Sequence, residues 1–334
     1  MTAAATNAKI RHGPTQRKKN TLRIDSKLSG TVPAAAPGLA LLALALFIAG
    51  RAHAQDLEPR AYGNAPTGLN FLVLGYVWTE GGVVTDPSVP LENAHLESPV
   101  GVAAYARSFG LWGKSAKVDV ALPYASISGT ADFEGAPVSR EVSGPADARV
   151  RLSYNFYGAP ALTLKEFPSY RQRVIVGASV QAFAPTGQYD STKLVNIGTN
   201  RWSVKTEIGT SVAVKRWILE LDTAVTFYED NDDVLGSTRE QEPIYSAQGH
   251  IIYGFKSGVW MALDSTYYTG GRTTLDGVEG DDLKENTRVG LTLALPINRR
   301  NSIKLYASSG VSTRTGGDFD VAGIAWQYRW GGGI

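Results

Sequence analysis

The sequence predicts an all-β chain folded as an antiparallel, up-and-down transmembrane β-barrel of about 12 strands, with 10 or 14 as alternatives, carrying long outer loops and short periplasmic turns. Three observations predict it. A short apolar run lies behind a basic N-terminal stretch, segments of period-two alternation recur along the rest of the chain, and the connections between them alternate long with short.

The apolar run is Leu39 to Ala49, LALLALALFIA, preceded by Arg11, Arg17, Lys18, Lys19, Arg23 and Lys27 and followed by Ala52-His53-Ala54. It is too short for the roughly 20 residues of a spanning helix but suits the core of a secretory signal. Residues 1–54 therefore read as a signal peptide with an extended basic n-region, cleaved after Ala54. Residues 55–67 read as a short periplasmic lead-in, 68–330 as the barrel and 331–334 as a C-terminal tail.

Beyond Gln55 no apolar stretch is long enough for a membrane helix, so the membrane reading rests on strands. In DARVRLSYNF, Val150, Leu152, Tyr154 and Phe156 alternate with Arg149, Arg151, Ser153 and Asn155. In WILELDTAVTF, Trp217, Leu219, Leu221, Val225 and Phe227 oppose Glu220, Asp222, Ala224 and Thr226. NTRVGLTLAL repeats the rule, with Val289, Leu291, Leu293 and Leu295 opposing Asn286, Arg288, Gly290 and Thr292. Applied along the chain, this template gives strands over 68–79, 94–108, 116–128, 147–157, 172–185, 201–214, 217–228, 243–255, 259–269, 286–296, 302–313 and 319–330.

The connections 80–93, 129–146, 186–200, 229–242 and 270–285 are long and acidic or glycine-rich, whereas Lys215-Arg216, Lys256–Gly258 and Ile297–Asn301 are short. Such alternation distinguishes outer loops from periplasmic turns. Gly158–Arg171 is longer than a turn should be and is expected to fold onto or into the periplasmic mouth. Trp78 and Trp202 fall at loop ends, and Trp112, Trp217, Trp260, Trp326 and Trp330 at turn ends, as two interfacial girdles would. A secreted β-sandwich or lipocalin-like barrel would share the alternation, but not the end-placed tryptophans together with the alternating connection lengths.

The absence of cysteine excludes disulfides and thiolate chemistry, and a net charge of +2 gives no footprint for nucleic acid. After the signal peptide only His95 and His250 remain, without a second histidine at ligand spacing, so no metal and no cofactor are expected. The Asp-rich loop Glu229-Asp230-Asn231-Asp232-Asp233 lacks the ligand order of an EF-hand and reads as solvated or facing lipopolysaccharide. A barrel phospholipase needs its nucleophile and base on the outer face, whereas alternation puts His250 with Ser246 and Gln248 on the polar face, so no enzyme is expected.

By the same parity the inward face carries Arg107, Lys117, Asp119, Arg149, Arg151, Arg173, Lys205, Glu207, Glu220, Asp222, His250, Asp264, Arg288 and Lys304. These residues either line a pore or pair into a polar plug, and a barrel of about 12 strands lies between the filled and the open extremes. Asn196-Ile197-Gly198-Thr199-Asn200-Arg201-Trp202 is unusual for a solvated loop, and Asn196, Asn200 and Arg201 are expected at an inward-folded constriction.

From about Gly68 to Trp330 the sequence resembles the meta-pathway phenol-degradation family of outer-membrane transporter-like β-barrel proteins. The resemblance is carried by Asn70-Phe71-Leu72, Tyr154-Asn155-Phe156-Tyr157-Gly158-Ala159-Pro160, APTGQYDSTKLVNIGTNRW from Ala184 to Trp202, and Tyr267-Tyr268-Thr269-Gly270-Gly271-Arg272-Thr273. It implies an outer-membrane channel or transporter-like protein taking up small aromatic or phenolic solutes, with outer-membrane lipid, lipopolysaccharide and the barrel-assembly machinery as partners. It implies no catalytic or binding residues.

Overall fold

The computed structural model describes residues 58–84 and 91–334; the expected signal peptide lies outside the described residues. No described helix is long and apolar enough to cross a membrane, and the crossing is made by strands. In chain order these are β1 (Leu69–Val84), β2 (Leu91–Leu111), β3 (Lys114–Phe133), β4 (Ala136–Pro145), β5 (Ala148–Tyr157), β6 (Val174–Ala184), β7 (Ser203–Val214) and β8 (Trp217–Tyr228). There follow β9 (Asn231–Val234), β10 (Ser237–Gln241), β11 (Ile244–Gly254), β12 (Trp260–Gly270), β13 (Thr273–Leu275), β14 (Val278–Glu279), β15 (Lys284–Pro296), β16 (Asn301–Thr313) and β17 (Gly316–Gly331).

Thirteen of these strands form one antiparallel sheet, and β1 pairs with both β2 and β17, which closes it. β4 and β5 both pair with β3 and are two parts of one wall strand interrupted at Ala146-Asp147, so the wall has twelve strands. Closure leaves no unpaired edge facing lipid.

Exposure identifies the two faces. On β8, Leu219 and Leu221 are 48% and 60% exposed, while Glu220 and Asp222 are 7% and 4%. β5 repeats this with Leu152 at 49% against Arg151 at 2%. The apolar side chains point away from the barrel axis and the charged ones into it, the arrangement of a wall solvated by lipid.

Two expected loops contain ordered strands. The 129–146 segment continues the β3–β4 hairpin through Glu134-Gly135, both at positive φ, and 229–242 with 270–285 supply β9, β10, β13 and β14 as a separate four-stranded cap sheet. Leu235-Gly236 and Asp276-Gly277, again at positive φ, turn the cap hairpins, as two-residue hairpin turns of this kind require.

Candidate functional site: an occupied lumen

The lead-in expected at 55–67 does not stop beneath the barrel: its described part, 58–67, runs into it. Tyr62 is 2% exposed, and its hydroxyl donates to Glu207 Oε1 at 2.9 Å. Its ring lies against Gly177 on β6 and Gly209 on β7, which are direct cross-strand partners. A Cβ at Gly177 would stand 2.4 Å from Asn155 Oδ1 and 2.5 Å from Tyr62 Cδ1, and one at Gly209 would overlap the ring and Asp222. Both glycines are therefore explained by close approach of the tyrosine together with the polar side chains around it. Burial, and next the Glu207 carboxylate, push the Tyr62 hydroxyl pKa upward, so it stays a protonated donor.

Charge fixes the rest of the segment. Glu58 accepts from Arg149 at 3.0 Å and from Arg151, which also reaches Glu207 at 3.2 Å. Burial alone would raise the Glu58 carboxyl, but Arg151 and then Arg149 hold it well below the usual glutamate value. The Arg60 N–H donates to Glu220 Oε2 at 2.6 Å, and its guanidinium lies 5.5 Å from the Trp260 ring. Below, the expected mouth segment is a clamp. Thr67 N donates to Leu162 O at 2.8 Å, Asn64 Nδ2 donates to Pro160 O at 3.2 Å, and Ala159 is fully buried with Tyr62 and Ile175. A small cleft remains beside the segment, lined by small residues such as Ala61, Gly63, Ser115 and Ser153 together with Lys117.

A second network adjoins the first, from β8 across β11 and β12 to β15. His250 Nδ1 lies 2.7 Å from Asp264 Oδ1 and Nε2 lies 3.7 Å from Asp222 Oδ2, while Thr292 donates to Asp264 at 2.8 Å. Both ring nitrogens thus face carboxylates rather than a serine hydroxyl.

The β6–β7 connection is anchored at the outer mouth. Asp147, which leaves the ladder at the break between β4 and β5, accepts from Gly187 N at 2.9 Å and from Thr199 N and Oγ1 at 2.9 and 2.6 Å. From that anchor the loop delivers Ile197 into a buried cluster with Leu96 of β2 and Ala125 and Ile127 of β3, against which Val83 and Phe319 pack.

Of the expected inward residues, Asp119, Arg151, Lys205, Glu207, Glu220, Asp222, His250, Asp264 and Arg288 are buried, while Lys117, Arg149 and Lys304 are partly buried on the same face. Two placements differ. Arg107 is exposed on the outward face beside Tyr105, opposite Asn70 and Val118; the inward residues of β2 there are Ala104, Ala106 and Ser108, so hydrophobicity gives the wrong parity, and the arginine sits at the interfacial end where its head can reach water. Arg173 precedes the first residue of β6 and is exposed at the periplasmic rim.

Within the loop, Asn196 is buried but turned back on its own backbone, with Nδ2 donating to Asp190 O at 3.0 Å and Lys193 O at 2.9 Å. Asn200 is exposed and donates to Asn231 at 3.0 Å, and Arg201 is buried under the cap. Trp260, expected in a girdle, has inward parity with Ala262 and Asp264 and meets Arg60.

Sequence reasoning missed Glu58, Tyr62 and their glycine slot; the available signal was a pair of mid-strand glycines, Gly177 and Gly209. It also missed that pairing of β1 with β2 brings Glu80, His95 and Glu97 together at the rim, with ligand atoms within 4.8 Å of one another.

Comparison with known proteins agrees with this architecture. No match was found among curated proteins. Among solved structures, the COG4313 outer membrane channel from Pseudomonas putida F1 is similar at 21% identity and a TM-score of 0.71, covering 82% of this chain and 100% of that one. The transport unit of the autotransporter AIDA-I from Escherichia coli is similar at 8% identity and a TM-score of 0.48, covering 86% and 98%. The KdgM porin follows at 8% identity and a TM-score of 0.42, covering 77% and 98%. With a closed twelve-stranded wall, an apolar outer face and a match over residues 79–328 to the family described as "Putative MetA-pathway of phenol degradation", the chain is an outer-membrane β-barrel that belongs to that family.

Proposed function

We propose that the protein is an outer-membrane channel for small aromatic or phenolic solutes, closed at rest by its own N-terminal segment and opened when that segment withdraws. The observation that carries this reading is the fit of Tyr62 into the slot at Gly177 and Gly209. The wall is shaped to receive a side chain that is not part of the wall, and every bond holding it is non-covalent and reversible. The family description and the channel named in the Pseudomonas putida title support the same assignment.

On this reading the buried face with Asp119, Arg149, Arg151, Lys205 and Glu207 lines the path, and residues 1–54 are removed on export, leaving Gln55 first. The outer face meets lipid and lipopolysaccharide, and the aromatic end of β17 at Trp330 is offered to the barrel-assembly machinery. No reaction is assigned.

A second reading is a permanently plugged structural barrel, favoured by the mutual pairing of Glu58, Arg149, Arg151, Asp119 and Glu207. Planar-bilayer recording separates the two. A channel shows discrete openings, with brief blockades when phenol is added. A membrane that stays silent after verified insertion of wild-type protein and of a variant lacking residues 58–63 establishes the plug.

A further inference from the structure

The net charge of +2 conceals a separation of charge between the two ends of the barrel. The outer connections 229–242 and 270–285 hold eleven acids against three bases, whereas 158–173, 215–216, 255–259 and 297–300 at the periplasmic end hold eight bases against one acid. That acid, Glu166, is folded into its own turn, where it accepts from Thr163 N at 2.8 Å and Thr163 Oγ1 at 2.7 Å. The basic end therefore carries little countercharge of its own and attracts anions from its surroundings.

Four of these cations gather on neighbouring strands. The Arg173 carbonyl accepts from Ala213 N at 2.7 Å, which sets Arg173 beside the end of β7; Lys215 and Arg216 turn β7 into β8. Lys256 lies in the turn from β11, the next strand in the wall, into β12. All four are exposed, and among the described residues none makes an ion pair.

A second, independent observation is aromatic. On the outward face beside these turns Trp217 is 48% exposed and Phe255 43%, and the Tyr253 ring lies 4.8 Å from the first and 4.9 Å from the second. Tyr253 is the register partner of Trp217, and its hydroxyl accepts from Arg216 Nη1 at 3.4 Å. Leu219 and Ile251, also partners, continue the exposed apolar track toward the membrane centre. Cations thus stand at the rim, rings at the interface and aliphatic side chains beyond them, the order in which a phospholipid presents phosphate, glycerol and acyl chain.

We infer that Arg173, Lys215, Arg216 and Lys256, with Trp217, Tyr253 and Phe255, form a site for an anionic phospholipid of the periplasmic leaflet. Guanidinium and ammonium groups hold the headgroup phosphate through charge-assisted bonds, and the chains lie along the rings and the apolar track. A zwitterionic headgroup brings its own ammonium, and turns 215–216 and 255–259 contain no carboxylate to receive it, so the site selects net negative charge. The site rests on the membrane placement of the wall and not on the channel reading.

The test uses the full folded barrel in a non-ionic detergent, with bound lipid counted by native mass spectrometry. Dioleoylphosphatidylglycerol is the probe and dioleoylphosphatidylethanolamine its zwitterionic counterpart. Each basic group beside an anionic headgroup contributes about fivefold in affinity, so Lys215→Gln with Arg216→Gln should weaken phosphatidylglycerol binding about 25-fold and leave phosphatidylethanolamine unchanged. Trp217→Ala should weaken both lipids, and Arg299→Gln with Arg300→Gln, in the turn from β15 to β16, should do less than the first pair. Equal binding of the two lipids by wild type, or equal losses in the two double variants, overturns the site; unchanged binding in Trp217→Ala overturns the course of the chains. Displacement by inorganic phosphate beyond that by chloride at equal ionic strength overturns the assignment to a lipid. Should the first double variant fail to fold, the contrast between the two lipids in wild type decides.

Discussion

Replacing Gly177 with alanine should loosen the N-terminal segment without harming the wall. Gly177 is not among the positive-φ residues, so alanine is acceptable to the strand. The new Cβ would stand 2.4 Å from Asn155 Oδ1, whose amide donates to the Tyr62 carbonyl, 2.5 Å from Tyr62 Cδ1 and 3.0 Å from Cε1, where carbon contacts normally begin near about 3.5 Å. The ring must retreat by about 1 Å, and overpacking of this kind costs about 1–3 kcal/mol. Because the wall is held by two ladders and the segment by a few bonds, the segment yields. At 1.4 kcal/mol per tenfold, the withdrawn population rises about 5- to 150-fold.

The chain contains no cysteine, so a single cysteine at Ala61 reports withdrawal through its rate of modification by a water-soluble maleimide. Tyr62→Ala should raise that rate further, since truncating a buried aromatic costs about 3–5 kcal/mol. Gly177→Ala added to Tyr62→Ala should then change less than it does alone, because no ring remains to displace and only the end of the Asn155 side chain must turn aside. An unchanged rate in Gly177→Ala, or effects of the two substitutions that add, would refute the keyed-segment argument.

Other outcomes follow from the same contacts. The Glu58 carboxyl is held well below its ordinary value of 4.5 in the docked state, so its contribution to docking is complete above that pH and is lost as pH falls from there through the depressed value; a nitroxide attached at position 61 should stay immobile down to pH 4.5, gain mobility below it, and lose this dependence in Glu58→Gln. Leu152→Arg places a charge on the lipid face at about 2–4 kcal/mol and should lower the heat-modifiable folded fraction, whereas Arg151→Glu should insert yet release the segment, since it sets a third carboxylate beside Glu58 and Glu207. Equal assembly defects in both would exchange the inner and outer faces. Ile197→Asp should lift the loop off this cluster and expose a cysteine placed at Leu96, now 5% exposed; continued protection there would mean that the loop is held by Asp147 alone.

The wall was legible in the sequence because lipid imposes period two on every spanning strand; 217–228 was read to the residue, and 243–255 and 259–269 nearly so. Parity failed at Arg107, where the inward side of β2 is alanine and serine and offers no polarity to read. The cap strands escaped because their two to five residues are too few for a pattern, although Asp276-Gly277 carried a hairpin signal. The occupied lumen escaped for a different reason. Glu58 and Tyr62 meet residues about ninety to 150 positions away, and no local spacing encodes such a contact; only the unexplained glycines at 177 and 209 marked the place.

The central claim, that the N-terminal segment is a removable closure of a conducting barrel, is tested most directly by single-channel conductance of wild type and of a variant lacking residues 58–63, inserted from matched heat-modifiable preparations. Wild type should be mostly closed with brief openings, and the deletion variant should be steadily open at a larger conductance. Equal conductance in the two proteins would contradict the account.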